Sequence, residues 1–274
     1  MMLPLLDAAK PARLPLAFRS LTLILCMFTA PSTLAMLNYQ GLARDLDSDD
    51  LFYREVHCVV AQDNTSTETV RYLGTTNNPI ATKRLREGLT LLPQQPASPA
   101  STTPRGIRPA WVPEYEFIHH DTGFAEGLRY QGDAVVLYRR EGNDADWEQK
   151  RLDLKQASKP VIADAGFDQF IRDHLSKLAT GESLDVVYLS APRLTTLDFT
   201  LEPGEQQDDR LTITMYPSNF VIRLLVEPLL VTYSSKTGRL LNFRGLTNVP
   251  QNTAENYLAS IEYQYGEELD AFCQ

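Results

Sequence analysis

The residues best suited to metal or acid–base chemistry are four histidines, two of which are adjacent: His57, His119, His120 and His174. His119 and His120 precede Asp121 and form the best metal candidate in the chain. Catalytic zinc takes three protein ligands, and neighbouring side chains on a strand point to opposite faces. Only one of the two histidines can therefore join a site with Glu116 or Asp121. We expect no bound metal, and a metal-dependent hydrolase that uses this cluster is the alternative function.

Nucleophilic and cofactor chemistry find little support in the sequence. The chain has no G-x-S-x-G motif, and the string from Gly181 to Asp185 lacks the final glycine. His57 and Cys58 are neighbours on a predicted strand, so their side chains diverge and cannot act as a pair. The sequence also has neither a P-loop nor a G-x-G-x-x-G motif, so we expect no cofactor. His174 lies on the apolar face of a predicted helix, where we expect a hydrogen-bonded core histidine. These patterns favour a protein without catalytic residues.

The first thirty-five residues have the composition of an export signal. Lys10, Arg13 and Arg19 precede the apolar run 21–30, and small residues follow up to Ala35. This order is typical of a secretory signal peptide, and the apolar run is too short to span a bilayer. We predict a signal peptide at residues 1–35, cleaved near Ala35, and a periplasmic or secreted bacterial protein. An uncleaved anchor or a buried helix is the alternative.

Charge and cysteine content limit the partners of the exported chain. The net charge of −9 disfavours nucleic-acid binding, because an acidic surface repels the phosphate backbone. No segment after residue 35 is apolar over the length that a membrane span needs. Cys58 and Cys273 remain after removal of the signal, and two cysteines in an oxidising compartment usually form a disulfide. Two separate thiols are the alternative.

Alternating apolar residues predict many short strands around one helix. Leu51–Ala61 alternates most clearly. The further predicted strands are Glu68–Leu73, Glu116–His119, Ala134–Arg140, Gln149–Leu154, Leu184–Leu189, Thr196–Leu201, Leu211–Tyr216, Phe220–Glu227, Leu229–Tyr233, Arg239–Phe243 and Asn256–Tyr265. The helix covers residues 165–179, with Asp164 as its N-cap and Gly181 after its end. Residues 92–113 contain six prolines and are predicted to form a loop within a single domain, residues 36–274.

Two apolar surfaces are the candidate ligand contacts. The segment from Phe220 to Tyr233 is apolar on both faces over part of its length, and one face of the predicted helix carries a hydrophobic stripe. Such surfaces either form ordinary core or line an apolar cavity. The candidate ligand-binding residues are Phe167, Phe170, Ile171, Phe220, Ile222 and Leu224.

Several strings in the second half of the chain carry a family resemblance. They are Val161–Phe170, Leu178–Glu182, Leu230–Tyr233 and Gly238–Asn248. Over about residues 110–265 the chain resembles uncharacterised exported proteins of proteobacteria. More distantly, it resembles periplasmic proteins with the fold of the lipoprotein localisation factors. That resemblance implies a curved antiparallel sheet, an incomplete barrel, that wraps around helices and can hold an acyl chain.

We therefore predict an α+β fold in which a large curved antiparallel sheet, an incomplete barrel, packs on one main helix. The predicted function is a non-enzymatic periplasmic protein of the cell envelope. It would bind an apolar, lipid-like ligand or an envelope protein partner.

Overall fold

A computed structural model describes residues 35–62, 65–85, 110–154, 157–266 and 273. Within these residues, fifteen strands form one sheet: β1 (Ala35–Asp45), β2 (Leu51–Gln62), β3 (Thr65–Gly74), β4 (Pro79–Leu85), β5 (Tyr115–His119), β6 (Ala125–Gln131), β7 (Ala134–Arg140), β8 (Glu148–Leu152), β9 (Val161–Ala163), β10 (Leu184–Ser190), β11 (Thr195–Gln207), β12 (Arg210–Pro217), β13 (Leu229–Ser234), β14 (Leu240–Pro250) and β15 (Asn256–Tyr265). A 3₁₀ turn (Asp164–Gly166) leads into the main helix α1 (Phe167–Ala179), and a short helix α2 (Phe220–Arg223) follows β12.

The sheet consists of two meanders joined through its first and last strands. Its order runs from β8 back to β1, continues through β15, and then runs back to β9. The join is the antiparallel pair β1–β15, in which Tyr39 lies opposite Tyr265. Every neighbouring pair is antiparallel except β9–β10, which is parallel. The predicted large, curved antiparallel sheet with one main helix is therefore confirmed.

Helix α1 packs on the inner face of the sheet through the apolar stripe that the sequence predicts. Phe170, Ile171 and Leu178 are fully buried in the larger core cluster, together with residues of β6, β7 and β9–β13. Gly166, just before the helix, lies so close to the Trp111 carbonyl that a Cβ atom there would collide with the backbone. This contact fixes where the helix begins.

The prediction was right about the residue that follows α1 and wrong about its N-cap. Gly181 follows the helix with a φ of +88°, as expected of a residue that terminates a helix in the left-handed region. The predicted N-cap was wrong, because the helix begins at Phe167 and its N-cap position is Gly166, with no side-chain cap. Asp164 instead begins the 3₁₀ turn, and its carboxylate forms an ion pair with Lys83.

The predicted strand Phe220–Glu227 was wrong. Phe220–Arg223 is helical, and the Asn219 side chain accepts hydrogen bonds from the Val221 and Ile222 backbone amides. This cap satisfies backbone donors that a strand would give to a neighbour. Pro228 follows and has no amide hydrogen for a sheet ladder. The apolar run therefore leaves the sheet between β12 and β13.

Four strands were not predicted from the sequence. Glycines or charged residues interrupt the apolar alternation of β1, β4 and β6, and β9 has only three residues. Several predictions fall on residues outside the described ranges: nearly all of the signal peptide, residues 92–109 of the proline-rich loop, and part of the loop between β2 and β3. Trp111 and Val112, at the end of the predicted loop, are described and lie in the core.

Candidate ligand-binding cavity

The inner face of the sheet encloses a cavity of about 1800 Å³ that is open to solvent. Side chains of β1–β4, β6, β7 and β10–β15 line it, together with the start of α1. Ligand cavities are commonly about 300–1000 Å³, so this one exceeds the size that a drug-like molecule fills. Part of the lining is polar and rich in tyrosine, which we call the polar wall, and another part is apolar, which we call the apolar wall.

The centre of the polar wall is His57, held between two carboxylates. Its Nδ1 lies 2.7 Å from Glu68 Oε1, and its Nε2 lies 3.3 Å from Glu55 Oε2. The Tyr39 hydroxyl donates to Glu68, and the Tyr263 hydroxyl donates to Glu55. The Tyr39 ring also stacks on the imidazole, with centroids 4.0 Å apart. The sheet thus collects one cation and two anions in a closed hydrogen-bonded group.

Strand register explains why these residues meet. Tyr39 of β1 lies opposite His57 of β2, and Glu55 and His57 share a face because side chains alternate along a strand. Gly41 leaves the space that this group needs. A Cβ atom there would come within 2.7 Å of Ile261 Cγ2 and 3.1 Å of Glu55 Oε2.

Electrostatics within this group keep His57 protonated. Burial alone lowers the pKa of His57, but the hydrogen bonds and charges of Glu55 and Glu68 outweigh it and raise the pKa to about 9. Burial likewise raises the pKa of Glu68, and its hydrogen bond and charge interaction with His57 reverse that effect and lower it. At neutral pH the imidazolium therefore forms a buried ion triad with its two carboxylates.

A second buried group lies beside the first. Lys83 on β4 forms an ion pair with Asp164 of the 3₁₀ turn, and the Asn248 amide donates to Asp164 at 3.0 Å. Glu126 on β6 is only 1% exposed. Burial and the Asp164 charge raise the pKa of Glu126 to about 8, although Lys83 and the Tyr115 hydroxyl act in the opposite direction. Glu126 is therefore mostly protonated at neutral pH.

Helix α1 contributes a third polar group from the side opposite its apolar stripe. Asp168 and Arg172 form an ion pair one turn apart, and the Tyr233 hydroxyl donates to Asp168 at 2.9 Å. Burial raises the pKa of Asp168, although Arg172 lowers it. Asp168, Arg172 and Tyr233 all line the cavity.

The apolar wall is formed by half-buried and buried side chains of β11–β14 and of α1. Its members are Phe167, Phe199, Met215, Leu229, Val231 and Phe243. Four further apolar side chains line the cavity and are more exposed: Ile222, Val226, Leu246 and Leu258.

The six candidate ligand contacts fall in three different places. Phe167 and Ile222 line the cavity, whereas Phe170 and Ile171 are fully buried in the core beneath the helix. Phe220 and Leu224 are strongly exposed near the cavity rather than in its wall. The helix stripe therefore meets the core, and only its edge reaches the cavity.

The histidine cluster of the alternative function is dispersed. His119 is buried, and its Nδ1 accepts a hydrogen bond from the Thr122 amide at 3.2 Å. His120 is exposed and contacts the Thr82 hydroxyl through Nε2 at 3.0 Å. Among the described residues, no three potential ligand side chains lie close enough together to hold a metal ion.

His174 has the structural role expected of it. Its Nδ1 donates to the Phe170 carbonyl oxygen at 2.8 Å, and the ring packs against Phe170 and Trp111.

Cys58 and Cys273 are joined in a disulfide, as the sequence analysis expects, with Cα atoms 5.5 Å apart. Cys58 points away from the cavity, because it follows His57 on β2. The bond therefore attaches the end of the chain to the opposite face of the strand that carries Glu55 and His57.

Comparison with known proteins yields one distant structural likeness. No family model and no curated protein sequence matches the chain. A crystal structure of a β-barrel-like protein of domain of unknown function DUF1849 from Brucella abortus aligns with a TM-score of 0.37 at 10% identity. The alignment covers 85% of this chain and 96% of that one. Within the described ranges, no helix combines the length and apolar character needed to cross a bilayer.

Sequence reasoning missed the polar wall. Glu55, His57 and Glu68 lie on strands that the sequence predicts, but at positions where charged side chains are normally assigned to solvent. One signal was available, because Tyr53, Glu55 and His57 alternate with the apolar residues of β2. That alternation already marks them as sharing one face.

Proposed function

We propose that this chain is a non-enzymatic binding protein that holds a lipid-like ligand in the cavity. The observation that carries the proposal is a large open cavity whose lining combines an apolar wall and a polar wall. An acyl chain would lie against Phe199, Leu229 and Phe243, and a polar end group would face the tyrosines of β1 and β15. Such a division suits an amphiphile better than a wholly apolar or a wholly polar molecule.

The state of His57 supports binding rather than catalysis. A general base needs a ring nitrogen that can take a proton from a substrate. Both ring nitrogens of His57 already contact carboxylates, and its raised pKa keeps the ring protonated at neutral pH. The imidazolium therefore acts as a structural cation that neutralises part of the wall.

We also propose that the chain is exported, with the signal peptide removed near Ala35. The Cys58–Cys273 disulfide is compatible with an oxidising compartment.

The binding proposal is tested with a fluorescent lysophosphatidylcholine, a zwitterionic amphiphile with one acyl chain, titrated into the full disulfide-bonded protein. Leu229→Gln places a polar group on the apolar wall, and Leu73→Gln makes the same change at a half-exposed position of β3 outside the cavity. We expect Leu229→Gln to weaken probe binding about tenfold, since roughly one apolar side-chain contact is lost. Leu73→Gln should leave the affinity unchanged.

Native mass spectrometry of the same samples gives the stoichiometry of the bound probe. The proposal fails if the unmodified protein binds no probe, or if both variants bind it as the unmodified protein does.

A further inference from the structure

The strongest feature that the cavity does not explain is an exposed apolar segment, Phe220–Val226, which we call the lip. Six of its seven side chains are large and hydrophobic, and Leu225, Phe220 and Leu224 are 81%, 72% and 70% exposed. Together the six side chains expose on the order of 600 Å² of apolar surface, which is as large as the biggest patch on a typical monomer. Patches of this size commonly serve binding.

The lip presents its apolar side chains in many directions. The first four residues of the lip form α2, in which the Arg223 amide donates to Asn219 O, and the Leu225 amide then donates to Ile222 O in a turn. Phe220, Val221 and Ile222 are consecutive in α2, so at about 100° per residue their side chains spread over about 200° of the helix circumference. A helix that binds a protein groove is apolar along one stripe instead.

The one charged residue of the lip is turned back to the body of the protein. The Arg223 guanidinium lies over the Tyr216 ring of β12, 3.5 Å from its centroid. Within α2 it occupies the sector that Phe220, Val221 and Ile222 leave open. The projecting sides of the lip therefore carry no charge.

The area that the lip exposes and the net charge of the protein distinguish between a protein partner and a membrane. A stable protein interface buries about 800 Å² on each partner, more than the lip exposes, and a flat partner would cover only one of its sides. A bilayer surrounds an inserted segment on all sides. The protein carries a net charge of −9, so attraction to anionic lipid cannot drive the contact and apolar burial must.

We infer that the lip inserts into the surface of a lipid bilayer. The inference does not require the cavity to hold a ligand. Ile222 and Val226 of the lip also line the cavity, so insertion places part of the cavity wall at the membrane surface. Passage of a lipid-like ligand between membrane and cavity is the extension that rests on the proposed function.

The test is flotation of the full disulfide-bonded protein with phosphatidylcholine vesicles at low and high salt. We expect flotation at both salt concentrations, because the contact is apolar. Leu225→Asp should reduce the bound fraction about tenfold, since it replaces the most exposed apolar side chain with a charge. Ala145→Asp adds the same charge in an exposed turn between β7 and β8 and should float like the unmodified protein.

A second variant reports the depth of the lip directly. The fluorescence of Leu225→Trp should shift to shorter wavelength with vesicles and be quenched by lipids brominated on the acyl chain. The inference is overturned if the unmodified protein stays unbound, if Leu225→Asp floats equally well, or if high salt abolishes binding. Self-association in sedimentation that Leu225→Asp removes, without flotation, would assign the lip to a second copy and would also overturn it.

Different outcomes refute the membrane inference and the proposed ligand binding. Leu225 does not line the cavity, so Leu225→Asp should still bind the fluorescent lysophosphatidylcholine in solution. Loss of probe binding with intact flotation would refute the proposed function alone.

Discussion

Replacement of Glu126 by glutamine should remove a pH-dependent loss of stability from the folded protein. Glu126 is buried on β6, near the Asp164 carboxylate and the Lys83 ammonium group. Its pKa is raised from 4.5 to about 8, chiefly by burial and then by the Asp164 charge. Glutamine has nearly the same shape and carries no charge at any pH in this range.

The sign follows from proton binding. The folded protein retains the Glu126 proton up to about pH 8, whereas the unfolded chain releases it near pH 4.5. The contribution of Glu126 to the unfolding free energy is therefore fully present below about pH 4.5, and it is lost as the pH rises to about 8. The difference between the two pKa values corresponds to a loss of at most about 5 kcal/mol at pH 8.

Urea unfolding of both proteins across this pH range measures the effect. The raised pKa of His57 also makes stability fall, between about pH 6.5 and pH 9, but this contribution is common to both proteins and cancels in their difference. The stability of Glu126→Gln relative to the unmodified protein should therefore increase by several kcal/mol from about pH 4.5 to about pH 8. Glu205→Gln, at an exposed position of β11, should show no such gain. Parallel stability curves for the unmodified protein and Glu126→Gln would refute the reasoning.

The remaining predictions concern the disulfide and export. Cys58→Ser opens a loop of 215 residues and should lower the unfolding free energy by up to about 5 kcal/mol, and a reducing agent should then destabilise the unmodified protein but not the variant. Equal stability of the two proteins under oxidising conditions would contradict this. Expression of the full chain in a bacterium should give a periplasmic form that begins near Met36. Its mass should be two hydrogens below that of the same chain with reduced cysteines. An intact N-terminus on that form would contradict the signal-peptide prediction.

The fold was predictable where burial and periodicity agree. Helix α1 follows from the spacing of Phe170, Ile171 and Leu178, and most strands follow from alternating apolar residues. β4 and β6 were missed because each carries a charged residue, Lys83 or Glu126, at an inward position. Burial of these charges depends on partners from distant parts of the chain, which local patterns do not contain.

The lip shows the opposite failure. An apolar run predicts burial, so Phe220–Val226 was assigned to a strand. Burial needs a surface to pack against, and between β12 and β13 the described structure leaves the apolar side chains of this run largely exposed. An apolar pattern is the same for a segment that contacts protein and for one that contacts lipid. Only the position of the segment in the three-dimensional structure distinguishes these two contacts.

The polar wall narrows the kind of ligand that the cavity favours. The carboxylates of Glu55 and Glu68 are both hydrogen-bonded to His57 and to tyrosine hydroxyls. An apolar chain could cover such a group at little cost, because its strongest interactions are already made within the protein. The same group keeps a net negative charge at neutral pH, since one imidazolium faces two carboxylates. A neutral or cationic end group is therefore favoured next to it over an anionic one, and a zwitterionic amphiphile should compete with the fluorescent probe more effectively than an anionic amphiphile of equal chain length.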